Sequence, residues 1–281
     1  MSDFEIAELK DRVVLITGST DGLGRYLATT LGAAGARVIV HGRDRDRAAE
    51  VAAEIVAAGG PEPWVITADL SQLAEVDRLA DEVVARTPRL DVLVNNAGIG
   101  FGSPGAPREL TPDGIELRWA VNYLAAYRLG RRLLPLLVAA APARIVNVAS
   151  LGQLDLDFDD LNLDRGYDGV TAYRRSKLAM IMSTIDLAAE LSGTGVTVNA
   201  LHPATFMATT MVTESGVAPA STVAEGGEAT LRLIADPALS GTTGEFFNGR
   251  SLSRPLPQAE DPQARRRLRE ATDATLTAVR G

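Results

Sequence analysis

Val13-Val14-Leu15-Ile16-Thr17-Gly18-Ser19-Thr20-Asp21-Gly22-Leu23-Gly24 is the stretch whose reading decides the fold. An unbroken apolar run rich in β-branched residues suits a short strand buried on both faces. The glycines that follow permit a tight turn, and a helical pattern opens at Gly22. Backbone N–H groups at such a turn can approach a pyrophosphate, and the helix dipole favours the anion. Placed after a buried strand, the run reads as a dinucleotide-binding turn contacted through Gly18, Ser19, Thr20, Asp21, Gly22, Leu23 and Gly24.

Outward from this turn the same alternation continues. Candidate strands are Arg12–Thr17, Arg37–His41, Trp64–Ala68, Val92–Asn95, Arg144–Ala149, Val196–Leu201 and Gly244–Phe247. Helical patterns lie between them near 22–34, 44–58, 72–86, 112–139, 172–192 and 222–236. This order predicts an α/β fold: a doubly wound, seven-stranded parallel sheet with helices on both faces. Ligands of such sheets sit beyond the carboxyl ends of the strands. No repeat, low-complexity tract or linker divides the 281 residues, so a single domain over 1–281 is expected. Residues 256–281 are charged and helical in pattern, and read as a surface helix with a fraying tip.

Composition narrows the chemistry. The chain has no cysteine, which excludes disulfides, thiolate catalysis and cysteine–zinc sites. His41 and His202 are its only imidazoles, so no histidine metal cluster is expected and the metal expectation is none. A net charge of −8 without a basic run argues against nucleic acid and anionic membranes. The longest apolar run, Leu133 to Ala143, is too short to span a bilayer and contains Pro135. Met1 to Asp11 lacks the pattern of a signal peptide, so a soluble cytoplasmic protein is expected. Of 28 basic side chains only Lys10 and Lys177 are lysines, which makes the place of Lys177 informative.

Tyr173 and Lys177 are four apart on a helical pattern and share a face. A phenol with pKa near 10 is a poor acid or base until tuned; a neighbouring ammonium favours the phenolate, at roughly 3–4 kcal/mol for a shift of about two to three units. Ser150, closing the fifth strand in Val148-Ala149-Ser150, can hydrogen-bond a substrate oxygen and orient it toward Tyr173. Asn122 lies in the long fourth helix, and Asn95-Asn96-Ala97-Gly98 follows the fourth strand.

These motifs, with the G-x-x-x-G-x-G spacing of the first turn, resemble the short-chain dehydrogenase/reductase family in its non-extended branch. The resemblance covers about residues 10–250 and implies a three-layer Rossmann fold. It implies that Asn122, Ser150, Tyr173 and Lys177 are the catalytic set, with Asn122 holding a helix kink and a water that joins Lys177 to solvent. Tyr173 and Lys177 would also meet the nicotinamide ribose. Asn96, Ala97 and Gly98 would lie against the cofactor, and Asp69 and Leu70 near its adenine. Asp69 also reads as a helix N-cap, a job for which Ser71 competes. Pro203 would border the nicotinamide, with Thr205 or the shifted Thr209 on its carboxamide; Ala204 stands where the family usually has glycine. The second strand ends His41-Gly42-Arg43-Asp44, with Gly42 in place of the NAD-selecting acid and Arg43 next to it. That implies NADP(H) rather than NAD(H), although Asp44 and Asp21 argue the other way. His202 reads as a packed strand-end histidine.

An insertion over 150–172 is longer than the family's common form. With Arg165-Gly166-Tyr167-Asp168 it resembles the retinol-dehydrogenase-like branch. Its alternating Leu154-Asp155-Leu156-Asp157-Phe158-Asp159-Asp160-Leu161 reads as a half-buried extended segment with carboxylates in water, not a cation site. A lid over 204–221 offers Phe206, Met207, Met211, Val212 and Val217, which with Leu154 and Phe101 favour an apolar substrate. The expected activity is hydride transfer on a mainly apolar ketone, aldehyde or secondary alcohol, with Tyr173 as general acid/base. The alternatives are a non-catalytic NADP-binding redox sensor and a sugar-nucleotide epimerase or dehydratase. The resemblance implies a homodimer or homotetramer, with a monomer left open.

Overall fold

The computed structural model describes residues 9–214 and 216–279. The segment read for a signal peptide up to residue 8, position 215 of the lid and the end of the tail lie outside them. Strands β1 (Val13–Ile16), β2 (Arg37–Gly42), β3 (Trp64–Thr67), β4 (Val92–Asn95), β5 (Ala143–Val148), β6 (Val196–His202), β7 (Phe246–Asn248) and β8 (Ser251–Ser253) form one sheet. Their order is β3-β2-β1-β4-β5-β6-β7-β8, so the winding reverses between β1 and β4. Registers such as Ile16↔Val40 and Ile16↔Val94 are parallel.

The expected seven-stranded, wholly parallel sheet is corrected at this far edge. β8 returns antiparallel to β7, pairing Phe247 with Leu252. Gly249 makes the turn at φ +57°, a conformation that L side chains rarely adopt. Three-residue strands carry no usable periodicity, and β7 starts later than expected because Gly244 (φ +79°) still bends the chain.

Helices α1 (Gly22–Ala33), α2 (Arg45–Ala57) and α8 (Val223–Ala235) cover one face. Leu27, Leu31, Val51, Ile55 and Ile234 pack there beneath Val14 and Val38. Fully burying such a side chain contributes roughly 1.5–3 kcal/mol. On the other face lie α3 (Leu73–Arg86), the α4 turn (Leu117–Trp119), α5 (Ala125–Ala139) and α6 (Gly169–Glu190). Helix ends are secured locally: Asp21 and Asp44 cap α1 and α2, and Thr222 with Glu225 forms a capping box on α8. Neither Asp69 nor Ser71 caps α3. Asp113 reaches Leu73 N instead, at 3.0 Å, while Asp69 closes a turn onto Ser71 N.

Between α4 and α5 the backbone widens into a π-helical turn, Ala120–Leu124, where the sequence suggested one uninterrupted helix. The lid over 204–221 contains the short α7 (Thr210–Glu214). The tail is more than a surface helix. α9 (Pro257–Glu260) and α10 (Pro262–Ala278) bury Ala259, Ala264, Leu268 and Thr272 against α6 and the π turn. Tyr123 and Thr272 share a hydrogen bond of 2.8 Å across that contact. No helix of the described residues is long and apolar enough to cross a membrane.

Candidate active site

The glycine turn emerges from β1 at the point where the sheet reverses, and two side chains from elsewhere, His41 and Asn96, hold it. Ser19 binds β2 through its hydroxyl and backbone, with Oγ accepting from His41 N at 2.8 Å and Ser19 N donating to His41 O at 2.8 Å. Gly18 N donates to His41 Nδ1 at 3.1 Å. His41 is 2% exposed, and burial drives its pKa down to about 4, so the neutral ring is the acceptor that this turn needs. From β4, Asn96 Nδ2 donates to Thr17 O (2.8 Å) and Gly18 O (3.1 Å), and Thr17 Oγ1 accepts from Asn96 N and Ala97 N. Gly24 packs so close that a Cβ would lie 2.1 Å from Gly18 O. His41 and Thr17 were not singled out from the sequence, because their roles depend on which strands become neighbours.

Asp21 caps α1 by accepting from Gly22 N and also from Thr210 Oγ1 at 2.7 Å, and it pairs with Arg47 at 3.3 Å. Burial would raise its pKa, but these three partners outweigh it and hold the carboxyl below its usual range. Thr209 packs its methyl against Gly22. Thr205 shares a 3.0 Å hydrogen bond with His202 Nε2, whose pKa is lowered by burial and then by the charge of Lys177. The two threonine candidates thus part: Thr209 stands at the glycine turn, Thr205 beside His202 at the end of β6. Pro203 and Met207 both pack against Gly226 of α8, and Met207 is partly buried against the core cluster there.

The four candidate catalytic side chains converge beyond the carboxyl ends of β4 and β5. Asn122 projects from the π turn, fully buried; its Oδ1 accepts from Ile99 N (2.8 Å) and its Nδ2 donates to Ile99 O (3.1 Å) and Ser176 Oγ (3.1 Å). Ser176 in turn donates to Tyr173 O at 2.7 Å, which joins the π turn to the first half of α6. Such π turns commonly mark functional sites, since the extra residue re-aims a side chain. Lys177 Nζ donates to Val148 O at 2.8 Å and lies 5.7 Å from the Tyr173 ring centroid. A Cβ on Gly98 would come within 3.2 Å of Asn122 Oδ1 and 3.6 Å of Lys177 Nζ.

The electrostatics differ from the simplest expectation. Lys177 is buried, and burial lowers its pKa to about 8. Tyr173 is shifted upward, because burial outweighs a hydrogen bond from Ser150. The ammonium faces the ring and a backbone carbonyl, and the net shift of the phenol is upward, opposite in direction to the expected lowering. Ser150 Oγ accepts from Gly152 N at 2.9 Å, leaving its proton free to donate. Phe101 stands edge-on to Tyr173, 6.0 Å between centroids. Its loop is pinned by Arg118, which donates to Gly100 O (2.8 Å) and to Tyr167 Oη (2.7 Å) beside buried Glu116. Tyr167 comes from the insertion, and burial and then the Glu116 charge push its pKa to about 12.

In the rest of the insertion Asp155, Asp157 and Asp159 are exposed, as the alternation suggested. Asp160 departs from it: buried, it accepts from Asp164 N and Arg165 N. Gln258 of α9 grips the segment as a strand would, accepting from Leu156 N at 2.6 Å and donating to Leu156 O at 3.1 Å.

A glycine-bounded helix N-terminus at the reversal of the sheet, with a buried lysine beside Gly98, fits a dinucleotide. Comparison with known proteins agrees. A family model described as short chain dehydrogenase matches residues 12–219. The chain belongs to that family. It is similar to human retinol dehydrogenase 14, 37% identical over 293 residues that span 94% of this chain and 86% of the relative. A protein from Mycobacterium paratuberculosis superposes with a TM-score of 0.78 at 26% identity, over 99% of this chain and 98% of that one. The Pseudomonas aeruginosa RhlG/NADP active-site complex superposes with a TM-score of 0.70 at 29% identity, over 85% and 95%. This member of the short-chain dehydrogenase family is an NAD(P)-dependent oxidoreductase of retinol-dehydrogenase-like type.

Proposed function

We propose that the chain is an NADP(H)-dependent reductase or dehydrogenase of a mainly apolar ketone, aldehyde or secondary alcohol, folded as a single domain. The observation that carries the mechanism is the meeting of Tyr173, Ser150 and Lys177 around one half-buried phenol. When bound, the nicotinamide supplies or accepts the hydride. Tyr173, kept protonated by burial, donates its proton to a carbonyl oxygen in the reductive direction and takes it back in the oxidative one. Ser150 donates its free hydroxyl proton to the same oxygen and holds it in line with the phenol. Lys177, turned from Val148 O, would bind ribose hydroxyls and place positive charge beneath the phenolate as it forms. Asn122 fixes the π turn against Ile99 and Ser176, so that Tyr173 and Lys177 keep their spacing. Phe101, edge-on to Tyr173, and Met211 of the lid, packed against Gly100, support an apolar substrate.

The preference for NADP(H) rests on Arg43, which is exposed at the end of β2 and makes no hydrogen bond or ion pair among the described residues. Asp44 argues less strongly for NAD than its position suggested, because its carboxylate is engaged as the cap of α2. Tyr173→Phe should bind NADPH as the parent does but lose turnover by about 10²-fold or more. Retained turnover with a good ketone or aldehyde substrate would sink the proton-transfer role.

A further inference from the structure

We propose that Thr20 and Gly42 form a steric interlock that decides coenzyme choice in this chain, keeping an acidic residue out of position 42. The inference rests on the NADP(H) reading above and adds a mechanism to it. A Cβ built on Gly42 would lie 2.5 Å from Thr20 Cγ2, 2.9 Å from Thr20 Oγ1 and 3.3 Å from Thr20 Cβ. The first two distances are shorter than real carbon contacts allow. Threonine places two γ atoms in three staggered positions, and here both occupied positions face Gly42. Every rotamer therefore leaves at least one γ atom in the way.

Nor can Thr20 move aside as a unit. Ser19 before it is bonded to His41 N and O, and Asp21 after it caps α1 while accepting from Thr210 and pairing with Arg47. With threonine at 20, any side chain at position 42 forces a shift in the glycine turn or in β2. A carboxylate there would be the natural acceptor for both adenosine ribose hydroxyls. In its absence the end of β2 presents the Thr20 hydroxyl, the unpaired Arg43 and Arg47. The Arg47–Asp21 pair is exposed, and such pairs yield readily to a stronger anion. Threonine and two guanidinium groups suit a phosphate monoester on that ribose.

The interlock makes a prediction that simple charge replacement does not: Gly42→Asp alone fails to create an NAD enzyme. The test is a double-substitution cycle on the full chain. It is read by thermal unfolding without nucleotide and by calorimetric Kd values for NADPH and NADH. Gly42→Ala should lower Tm by about 3 °C or more. Adding Thr20→Ser, whose single γ atom can turn away, should recover most of that loss; adding Thr20→Val, which keeps two γ atoms, should not. Gly42→Asp should weaken NADPH binding without tightening NADH, whereas Gly42→Asp with Thr20→Ser should bind NADH about tenfold more tightly than Gly42→Asp alone. Additive effects in the cycle, or a Gly42→Ala chain as stable as the parent, would overturn the interlock. A parent that binds NADH more tightly than NADPH would instead overturn the NADP(H) reading on which its coenzyme role rests.

Discussion

Replacing Lys177 by methionine should make this protein more stable at neutral pH while abolishing its activity. Lys177 is 5% exposed, its amine donates to Val148 O at 2.8 Å, and burial lowers its pKa from 10.5 to about 8. A depression of that size corresponds to about 3 kcal/mol against the charged form. Between about pH 8 and 10.5 the folded chain binds fewer protons than the unfolded chain, so this group's contribution grows more favourable as pH rises through that window. Below pH 8 its penalty is present in full. Lys177→Met removes the penalty and also the bond to Val148 O, which contributes about 1 kcal/mol. A net gain of about 1–2 kcal/mol at pH 7 remains, fading as the parent's lysine neutralises toward pH 10. Urea unfolding at the two pH values measures it. The pKa itself can be read from the Cε signal of ¹³C-lysine-labelled protein: with only two lysines, Lys10→Arg leaves Lys177 alone in the spectrum. A Lys177 signal titrating near 10.5, or a methionine variant equally destabilised at both pH values, would refute the reasoning.

His41→Gln should keep an acceptor for Gly18 N but remove a titrating ring. Since burial places the folded pKa of His41 near 4, against 6.5 for a free imidazole, its stability contribution is intact above pH 6.5 and lost as pH falls toward 4. The parent should therefore lose up to about 3 kcal/mol more than the glutamine variant between pH 7 and 4, as seen by denaturant unfolding. Gln258→Ala removes both bonds to Leu156 and should cost about 1–2 kcal/mol. It should also raise KM for the carbonyl substrate with the Kd for coenzyme unchanged; an unmoved KM would assign Gln258 to stability alone.

The first turn and the β-branched runs were legible because they are local. Apolar residues Val13 to Ile16 in sequence, glycines at set spacing and a helix pattern after them determine a βα unit wherever it sits. Tyr173 and Lys177 are likewise one helical turn apart, so their shared face needs no tertiary information. Other features lacked a local signal. The π turn at Ala120–Leu124 cannot be told from an α-helix by periodicity, and Asn122 owes its direction to Ile99 and Ser176, distant in sequence. The tail looked exposed because α10 is strongly charged, yet its few small and apolar residues meet α6 and Tyr123. Arg265 and Arg269 both reach Asp186, so charge there is part of the contact.

From sequence alone come the alternating α/β architecture, the nucleotide-binding turn and the chain positions of the candidate tetrad. The architecture, the turn and the Tyr173–Lys177 pair are written in spacings of a few residues, which backbone geometry converts directly into a shared face or a turn; Asn122 and Ser150 join that pair through the resemblance to the family. Tertiary structure alone decided the antiparallel eighth strand, the neutral His41 behind the glycine turn, the upward shift of Tyr173 and the contact of Thr20 with Gly42. Those depend on which strands pair, at what register, and how deeply each group is withdrawn from water; none of these is a property of neighbouring residues in the chain.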